Sequence, residues 1–262
     1  MPNNTENSGN ANSNNNFHIM CKPAGPQCNL QCRYCFYTEK ESLFDTSSSS
    51  DTFMDEDILE TYIKKYIESQ DAPEINFAWQ GGEPTLRGLD FFRKAVELEE
   101  KYAGDKEITN SLQTNGILLD DEWGKFLAEE EFLVGLSIDG PREIHDRYRL
   151  DAGGHPTFGK VMEAMEILQK WDVQYNALVS VTAESAKKPE KIYKFLKNTG
   201  TQFMQFIPIV ERIPDQHSKD IGLDLAEPRP WTGDASKKVT DFTVNPKDYS
   251  DFLISIFDRW VR

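Results

Sequence analysis

Three cysteines, Cys28, Cys32 and Cys35, lie within one short stretch of the chain in a CxxxCxxC spacing. Cysteine thiolates bind iron–sulfur clusters, and clusters that only carry electrons are usually closed by four cysteines. Three thiolates from one loop would bind three irons of a 4Fe–4S cluster and leave the fourth iron open to a small molecule. The spacing therefore indicates a cluster that binds a substrate or cofactor at iron.

The same cysteines allow other interpretations. Together with Cys21 they could bind structural zinc, or all four could be unligated thiols in a reducing cytosol. Structural zinc sites usually pair two separate groups of ligands, whereas these ligands crowd one loop, so zinc is the weaker interpretation. Disulfides are weaker still, because the 262 residues contain only four cysteines and no apolar signal-peptide core precedes them. We interpret Cys21 as a strand residue.

The composition limits the classes of protein and partner. With 38% hydrophobic and 11% aromatic residues, the chain can bury one large α/β core or two small ones. Its formal net charge of −15 disfavours nucleic-acid and membrane-surface partners, and no apolar run approaches the roughly 18 residues of a membrane span. We therefore expect a cytoplasmic protein. Residues 1–16 are Asn-rich without apolar periodicity and predict a disordered tail, which leaves residues 17–262 as the folded domain.

Short β-prone runs alternate with helical patterns along that domain and must position the cysteine loop. We predict helices near residues 55–69, 89–102, 120–130, 157–171 and 189–199. We predict strands over residues 17–22, 74–79, 107–112, 132–138, 173–182 and 202–209. Six βα-type units predict a parallel sheet covered by helices, and the pattern alone does not separate an open sheet from a barrel.

Gly-rich polar segments follow the predicted strands at their carboxyl ends, as the cysteine loop does. They are residues 80–84 (QGGEP), 113–116 (QTNG) and 137–141 (SIDGP). Each segment alone would be an ordinary βα turn, since Gly, Asn and Pro are common there. The carboxyl ends of parallel strands form one face, where ligands bind. Together with the cysteines, the segments favour a barrel-like fold with one site at that face.

Two further stretches lack apolar periodicity, and a third stretch shows it clearly. Residues 46–51 are Ser-rich and predict a linker, and residues 211–245 predict a long loop on the binding face. Near the end of the sequence, an apolar helix face is predicted from Tyr249, Phe252, Leu253, Ile256, Phe257 and Trp260.

In their fuller form these motifs resemble a known family. The cysteine motif, with Tyr34 before its last cysteine and GGEP at residues 81–84, is similar to that of radical S-adenosylmethionine (radical SAM) enzymes. Within that superfamily the chain resembles the anaerobic sulfatase-maturating enzymes from about Phe17 to Arg262. The strings that carry this resemblance are residues 28–37 (CNLQCRYCFY), 79–86 (WQGGEPTL), 111–116 (SLQTNG) and 134–141 (VGLSIDGP).

The resemblance implies a fold, an activity and partners. The fold would be an α/β partial (β/α)6 TIM-like barrel whose open iron binds the amino and carboxylate groups of S-adenosylmethionine. Reduction through the cluster would release a 5′-deoxyadenosyl radical, which takes a hydrogen atom from the substrate. In the maturases that substrate is an active-site cysteine or serine of a sulfatase polypeptide, which is oxidised to formylglycine. A reductant such as flavodoxin or ferredoxin would supply the electron.

The resemblance also implies roles for individual residues. Cluster ligation falls on Cys28, Cys32 and Cys35. Cofactor contacts fall on the backbone of Tyr34 and on Gly82, Ser137, Arg149 and Val210. Glycine at position 82 permits close approach of the backbone, and the guanidinium of Arg149 suits a carboxylate. Val210 would lie near the adenosine. Tyr37 and Gln80 would face the substrate. The four histidines, which show no metal-ligand spacing and which we expect to be incidental, are His18, His145, His155 and His217.

The sequence departs from the family in one respect. The family's chains continue into a cysteine-rich C-terminal domain with two further clusters and an aspartate proposed as the catalytic base. This sequence ends at Arg262 with one cysteine outside the motif, so we expect no further clusters in it and name no base. A fragment of a longer chain is the expected explanation. The alternatives are another radical SAM peptide-modifying enzyme and a truncated, non-catalytic cluster-binding remnant.

Overall fold

The structure, a computed structural model, describes residues 16–38, 52–220, 222 and 239–262. The predicted tail, apart from its last residue, and the Ser-rich linker at residues 46–51 lie outside the described residues. So do residues 221 and 223–238 of the predicted 211–245 loop. Within the described ranges, no helix has the length and apolar character needed to cross a membrane.

Six parallel strands form one sheet, and their order across the sheet is their order along the chain. In the described part of the chain, the first and last strands do not pair with each other, so the sheet is an open, partial barrel and not a closed one. This confirms the predicted fold class. The strands are β1 (Met20–Cys21), β2 (Glu74–Trp79), β3 (Glu107–Thr114), β4 (Leu133–Ser137), β5 (Tyr175–Val181) and β6 (Phe203–Pro208).

The five helices predicted between strands are present, with ends within one residue of their predicted positions. Two short helices, Arg142–His145 (α4) and Gln216–Asp220 (α7), escaped prediction because four or five residues are too few to show an apolar period. The second of them lies inside the predicted 211–245 loop. The helices are α1 (Glu56–Glu68), α2 (Leu89–Ala103), α3 (Asp121–Glu129), α4 (Arg142–His145), α5 (Phe158–Lys170), α6 (Pro189–Asn198), α7 (Gln216–Asp220) and α8 (Pro246–Trp260).

The alternation of side chains along each strand separates an apolar outer face of the sheet from a more polar inner face. In β2, Ile75, Phe77 and Trp79 are buried on the outer face. The ring of Phe77 meets aromatic rings of α1, and that of Trp79 meets rings of α2 at centroid distances of 5.7 and 6.1 Å. Burying side chains of this size stabilises the fold by about 1.5–3 kcal/mol each. The outer face therefore carries the main core, and the inner face is left for a site.

Helix α8 packs only part of its predicted apolar face. Phe252 and Ile256 are buried, and the Phe252 ring lies 5.2 Å from that of Phe206 on β6. Leu253, Phe257 and Trp260 of the same predicted face stay 39%, 55% and 70% exposed. The sequence pattern thus located the apolar residues, but the structure covers only the row of side chains that meets β6.

Candidate functional site

A cavity of about 550 Å³ opens at the carboxyl ends of the strands on the inner face of the sheet. Strand ends and loops from one side of the partial barrel to the other contribute to its wall. Every residue to which the sequence analysis assigned a cluster, cofactor or substrate role lines this one cavity: Cys28, Cys32, Tyr34, Cys35, Tyr37, Gln80, Gly82, Ser137, Arg149 and Val210.

The cysteine loop is held in place by backbone hydrogen bonds to the segment before α5. The amide of Gln31 donates to the carbonyl of Leu150 at 2.8 Å, and the amide of Arg33 donates to the carbonyl of Tyr148 at 3.1 Å. Within the loop, the amide of Cys35 donates to the carbonyl of Cys32 at 2.9 Å. These bonds fix the loop without using the cysteine side chains, and the Cys28 sulfur separately accepts the amide of Leu30 at 3.4 Å.

The thiols of Cys28 and Cys32 lie in a poorly solvated environment. Burial raises the pKa of Cys28 to about 12, and it raises that of Cys32 to about 11 although nearby Arg149 opposes the shift. Without a bound cation these two groups are neutral thiols at neutral pH. Cluster assembly would therefore displace protons, since the thiolate is the form that binds metal.

The donor set suits a 4Fe–4S cluster, which takes each thiolate on a different iron. Cys28, Cys32 and Cys35 all line the same cavity. Within the described ranges, no three Cys, His, Asp or Glu side chains are grouped closely enough to bind one metal ion. Cys21 is buried in the main core, as its interpretation as a strand residue requires, and does not line the cavity. It is therefore not placed as a fourth ligand.

The turn after β2 packs tightly against the chain that leads into the cysteine loop. The amide of Gly82 donates to the carbonyl of Gly25 at 2.9 Å, and that of Glu83 donates to the carbonyl of Gln27 at 2.7 Å. A Cβ atom on Gly82 would lie 2.0 Å from the Gln27 carbonyl oxygen, which no side chain can tolerate. Glycine at this position thus brings two backbones together at the cavity wall.

Glu83, a residue to which the sequence analysis gave no role, connects the ends of β2 and β3. Its carboxylate accepts hydrogen bonds from the amide and hydroxyl of Thr85 at 3.1 and 2.6 Å, from the hydroxyl of Thr114 at 2.7 Å and from the amide of Asn115 at 2.7 Å. Burial raises its pKa above the usual range, and these hydrogen bonds oppose that rise. The signal in the sequence was an acid between glycine and proline at a strand end.

Asp139 was also missed, although it stands in the SIDGP segment. Its carboxylate accepts the hydroxyl of Tyr34 and the amide of Ser180, the latter at 3.0 Å, and Arg149 Nε lies 3.1 Å from its Oδ2. Burial alone would lower the pKa of Arg149, but the attraction of Asp139 outweighs it and keeps the guanidinium charged. One buried carboxylate thus joins the cysteine loop, the segment after α4 and the end of β5.

The other predicted residues take different positions in the wall. Ser137 ends β4 and is buried beside the cavity, whereas Val210 lies just after β6 and is 61% exposed at the mouth. Gln80 donates from Nε2 to Oε1 of Gln113 at 2.6 Å, so neighbouring strand ends are joined across the floor. The ring of Tyr37 lies 5.2 Å from Nζ of Lys22.

The fold and this site together define a class of protein. An open sheet of six parallel strands, with a three-cysteine loop and glycine-rich turns at its carboxyl edge, is a partial TIM-like barrel with one ligand site at its mouth. The sequence profile of the Radical SAM superfamily matches residues 23–196. The chain belongs to the radical SAM superfamily.

Comparison with curated proteins shows which members of the superfamily the chain is similar to. Over 245 residues the chain is 42% identical to the serine-type anaerobic sulfatase-maturating enzyme of Bacteroides thetaiotaomicron, an alignment that covers 94% of this chain and 57% of that protein. Over 244 residues it is 40% identical to a cysteine-type anaerobic sulfatase-maturating enzyme of Clostridium perfringens, covering 92% and 60%. The chain thus spans about three-fifths of the length of these relatives.

A solved structure gives the same result for the fold. Native anSMEcpe with bound AdoMet and Cp18Cys peptide is 39% identical to this chain and superposes on it with a TM-score of 0.74. The match covers 91% of this chain and 58% of that one.

Proposed function

We propose that this chain binds a 4Fe–4S cluster through Cys28, Cys32 and Cys35, binds S-adenosylmethionine beside it, and forms the radical-generating part of a sulfatase-maturating enzyme. The observation that carries the proposal is the convergence of the three thiols with Gly82 and Arg149 on one cavity. The similarity to two maturases over more than nine-tenths of this chain supports it. We propose residues 17–262 as the core domain, with residues 211–245 as its loop.

The residues around the cavity suit this cofactor. Arg149 supplies a permanent positive charge for a carboxylate, and Ser137 supplies a hydroxyl in a buried wall. The backbones of Gly82 and Tyr34 can approach a ligand closely, and Val210 offers an apolar surface to an adenosine ring. When bound and reduced through the cluster, S-adenosylmethionine supplies a radical that removes a hydrogen atom from the substrate. The chain itself binds and orients the reactants and excludes water.

The substrate that we infer is a cysteine or serine side chain in a sulfatase polypeptide, converted to formylglycine. Tyr37 and Gln80 line the cavity and would face that segment. Two-electron oxidation gives the aldehyde directly from serine, whereas from cysteine it gives a thioaldehyde that water hydrolyses with release of hydrogen sulfide. In both cases one electron leaves with the hydrogen atom. The second electron and the accompanying proton need an acceptor and a base, and we assign neither to the described residues. We propose flavodoxin or ferredoxin as reductant and the cytoplasm as the setting.

The proposal is tested by anaerobic reconstitution of the chain with iron and sulfide. We expect about four irons and four sulfides per chain, because the donor set fits one 4Fe–4S cluster. After reduction we expect cleavage of S-adenosylmethionine to 5′-deoxyadenosine, and oxidation of a sulfatase-derived peptide measured by mass spectrometry. Peptides with cysteine and with serine at the target position are compared, because both types of relative match the chain at similar identity.

Two matched variants separate the outcomes of this test. Cys28→Ala removes one proposed ligand and should abolish cleavage, whereas Cys21→Ala removes a core thiol and should leave the iron content unchanged. Cleavage without peptide oxidation would indicate a radical SAM enzyme with another peptide target or with its substrate machinery missing. A folded chain that takes up zinc but no cluster, or a cluster without cleavage, would reject the proposed activity.

A further inference from the structure

Arg149 is held at its guanidinium and also at its backbone. On the side-chain end, Nε lies 3.1 Å from Asp139 Oδ2, and Nη2 donates to the hydroxyl of Ser180 at 3.3 Å. On the backbone end, its carbonyl oxygen accepts the hydroxyl of Thr157 at 2.8 Å. Both Asp139 and Thr157 are 2% exposed, so water does not compete for these contacts.

His145 connects the two ends of this arrangement. The amide of Asp139 donates to Nδ1 of His145 at 3.4 Å, and Nε2 of His145 lies 3.1 Å from the hydroxyl oxygen of Thr157. The ring is fully buried. The contacts therefore form a closed cycle that runs from Asp139 through His145 and Thr157 to Arg149, and back to Asp139 through the ion pair.

Only one placement of the protons satisfies the whole cycle. Because Nδ1 accepts an amide proton, a neutral His145 carries its own proton on Nε2 and donates it to the oxygen of Thr157. That oxygen then donates its single proton to the Arg149 carbonyl. Burial lowers the pKa of His145 to about 4, so the neutral form is present at neutral pH. From the Asp139 amide to the Arg149 carbonyl each donor has one acceptor, so the direction of these three hydrogen bonds is fixed, and the cycle closes through the ion pair of Arg149 with Asp139.

The hydroxyl of Thr157 does not have the capping role that its position at the start of a helix suggests. Thr157 is the residue before the first turn of α5, where a threonine hydroxyl ordinarily caps the helix. Here it makes no cap hydrogen bond, and Asp146 Oδ1 accepts the amides of Thr157 and Phe158 at 3.1 and 2.8 Å instead. Asp146 therefore caps the helix, and the Thr157 hydroxyl donates its hydrogen bond to the Arg149 carbonyl.

We propose that Asp139, His145 and Thr157 are positioning residues that hold Arg149 in the cavity ready for a carboxylate-bearing cofactor. The inference rests on the proposed function in that Arg149 is the residue expected to meet S-adenosylmethionine. A cycle that is complete before the ligand arrives removes the entropy cost of ordering a long side chain on binding. His145 is then part of the site's support and not the incidental residue that its spacing suggested.

The test compares Thr157→Val, which keeps the shape and removes the hydroxyl, with Thr157→Ser, which keeps the hydroxyl. Equilibrium dialysis measures the Kd for S-adenosylmethionine on the reconstituted, unreduced chain. We expect Thr157→Val to raise this Kd about tenfold, because it removes one buried hydrogen bond. The Kd of Thr157→Ser should stay within about twofold of that of the parent. In an Arg149→Ala background, the difference between Val and Ser should disappear, because the hydroxyl acts through Arg149.

A second measurement does not need the cofactor. Nitrogen-15 NMR of the metal-free chain at neutral pH reports the His145 tautomer and the exchange of the Arg149 Nε proton. We expect an unprotonated Nδ1 and a protected Nε proton in the parent and in Thr157→Ser, with faster exchange in Thr157→Val. A proton on Nδ1, or equal exchange in all three, would overturn the inference. If the parent shows the expected spectrum but binds no S-adenosylmethionine, the proposed function fails and the cycle stands as a support of Arg149 alone.

Discussion

Of the two glycines that line the cavity, Gly82 is the one at which an added Cβ would meet the closer obstacle. Its backbone passes so close to residues 26 and 27 that a built Cβ would meet their carbonyl oxygens at 2.5 and 2.0 Å. Both obstacles are backbone atoms of a turn that leads directly into the cysteine loop, so they cannot move aside as a flexible side chain would. The close packing of these two turns therefore depends on the missing side chain.

Gly82→Ala should consequently lower the free energy of unfolding by about 2–4 kcal/mol, because it overpacks a site that has no room. Thermal or urea unfolding of the metal-free chain measures this, and iron uptake should fall as well. Gly159→Ala in helix α5 is the matched control, because a Cβ there meets nothing within 4 Å. The control should change stability by less than about 1 kcal/mol and in the stabilising direction. Equal stability of the two variants would contradict the packing argument.

Helix α2 and strands β2 and β3 share a buried polar contact on the outer face of the sheet. Glu99 of α2 accepts Nδ2 of Asn110 at 2.7 Å, and the Asn110 oxygen accepts the indole of Trp79 at 2.7 Å. The second carboxylate oxygen of Glu99 has no hydrogen-bond partner among the described residues. Burial is the main reason that the pKa of Glu99 rises to about 8 from its ordinary value of 4.5.

This raised pKa predicts a stability that falls with increasing pH. Because the folded chain holds the proton more tightly than the unfolded chain does, the contribution of Glu99 is complete below about pH 4.5 and is lost as the pH rises through about 8. Glu99→Gln should therefore raise the free energy of unfolding at pH 9 by about 2–4 kcal/mol relative to the parent, with a smaller gain at pH 5.

Urea unfolding at several pH values measures that difference. Glu97→Gln on the same helix is the control, since the Glu97 side chain is 66% exposed in an ion pair with Lys94 and should matter by less than about 1 kcal/mol. A pH dependence that is the same in Glu99→Gln and in the parent would contradict the proposed protonation of Glu99.

At the scale of the whole molecule, the main core and the site are largely separate. The large apolar core lies between the sheet and its helices and includes none of the three motif cysteines. The cysteine loop belongs to a second, smaller cluster made of Leu30, Cys32, Tyr34, Tyr148 and Phe242. The main core is therefore formed by residues other than the proposed cluster ligands.

Removal of iron should accordingly loosen the site without unfolding the chain. We expect metal-free protein to keep its circular dichroism and a cooperative thermal transition, while amides of residues 28–37 exchange hydrogen faster than in the reconstituted form. Amides of β3 should exchange equally in both and serve as the internal control. Cluster and cofactor should raise the apparent stability by linkage, about 2.7 kcal/mol for a ligand at one hundred times its Kd. Loss of the cooperative transition on chelation would show that the core depends on the cluster.

The sequence by itself determined the elements and the chemistry of the ligands. Apolar periodicity located five helices to within one residue, and the order of strands and helices predicted the parallel sheet. The CxxxCxxC spacing indicated a cluster, and the motif resemblance selected residues that line one cavity. These predictions succeed because periodicity and motif spacing are properties of contiguous residues. Among the described residues, the two short helices and the bounds of the two-residue β1 escaped this kind of prediction, and β3 and β5 each differ by two residues from a predicted end.

Only the tertiary structure decided which partners the buried polar groups have. Tyr34 and Asp139 are 105 positions apart in the chain yet share a hydrogen bond, and Glu83 meets Thr114 across two strands. His145 looked incidental because its partners, a backbone amide and a threonine, leave no motif. A hydrogen bond depends on distances of about 3 Å between groups that the fold brings together, and no local pattern encodes those distances.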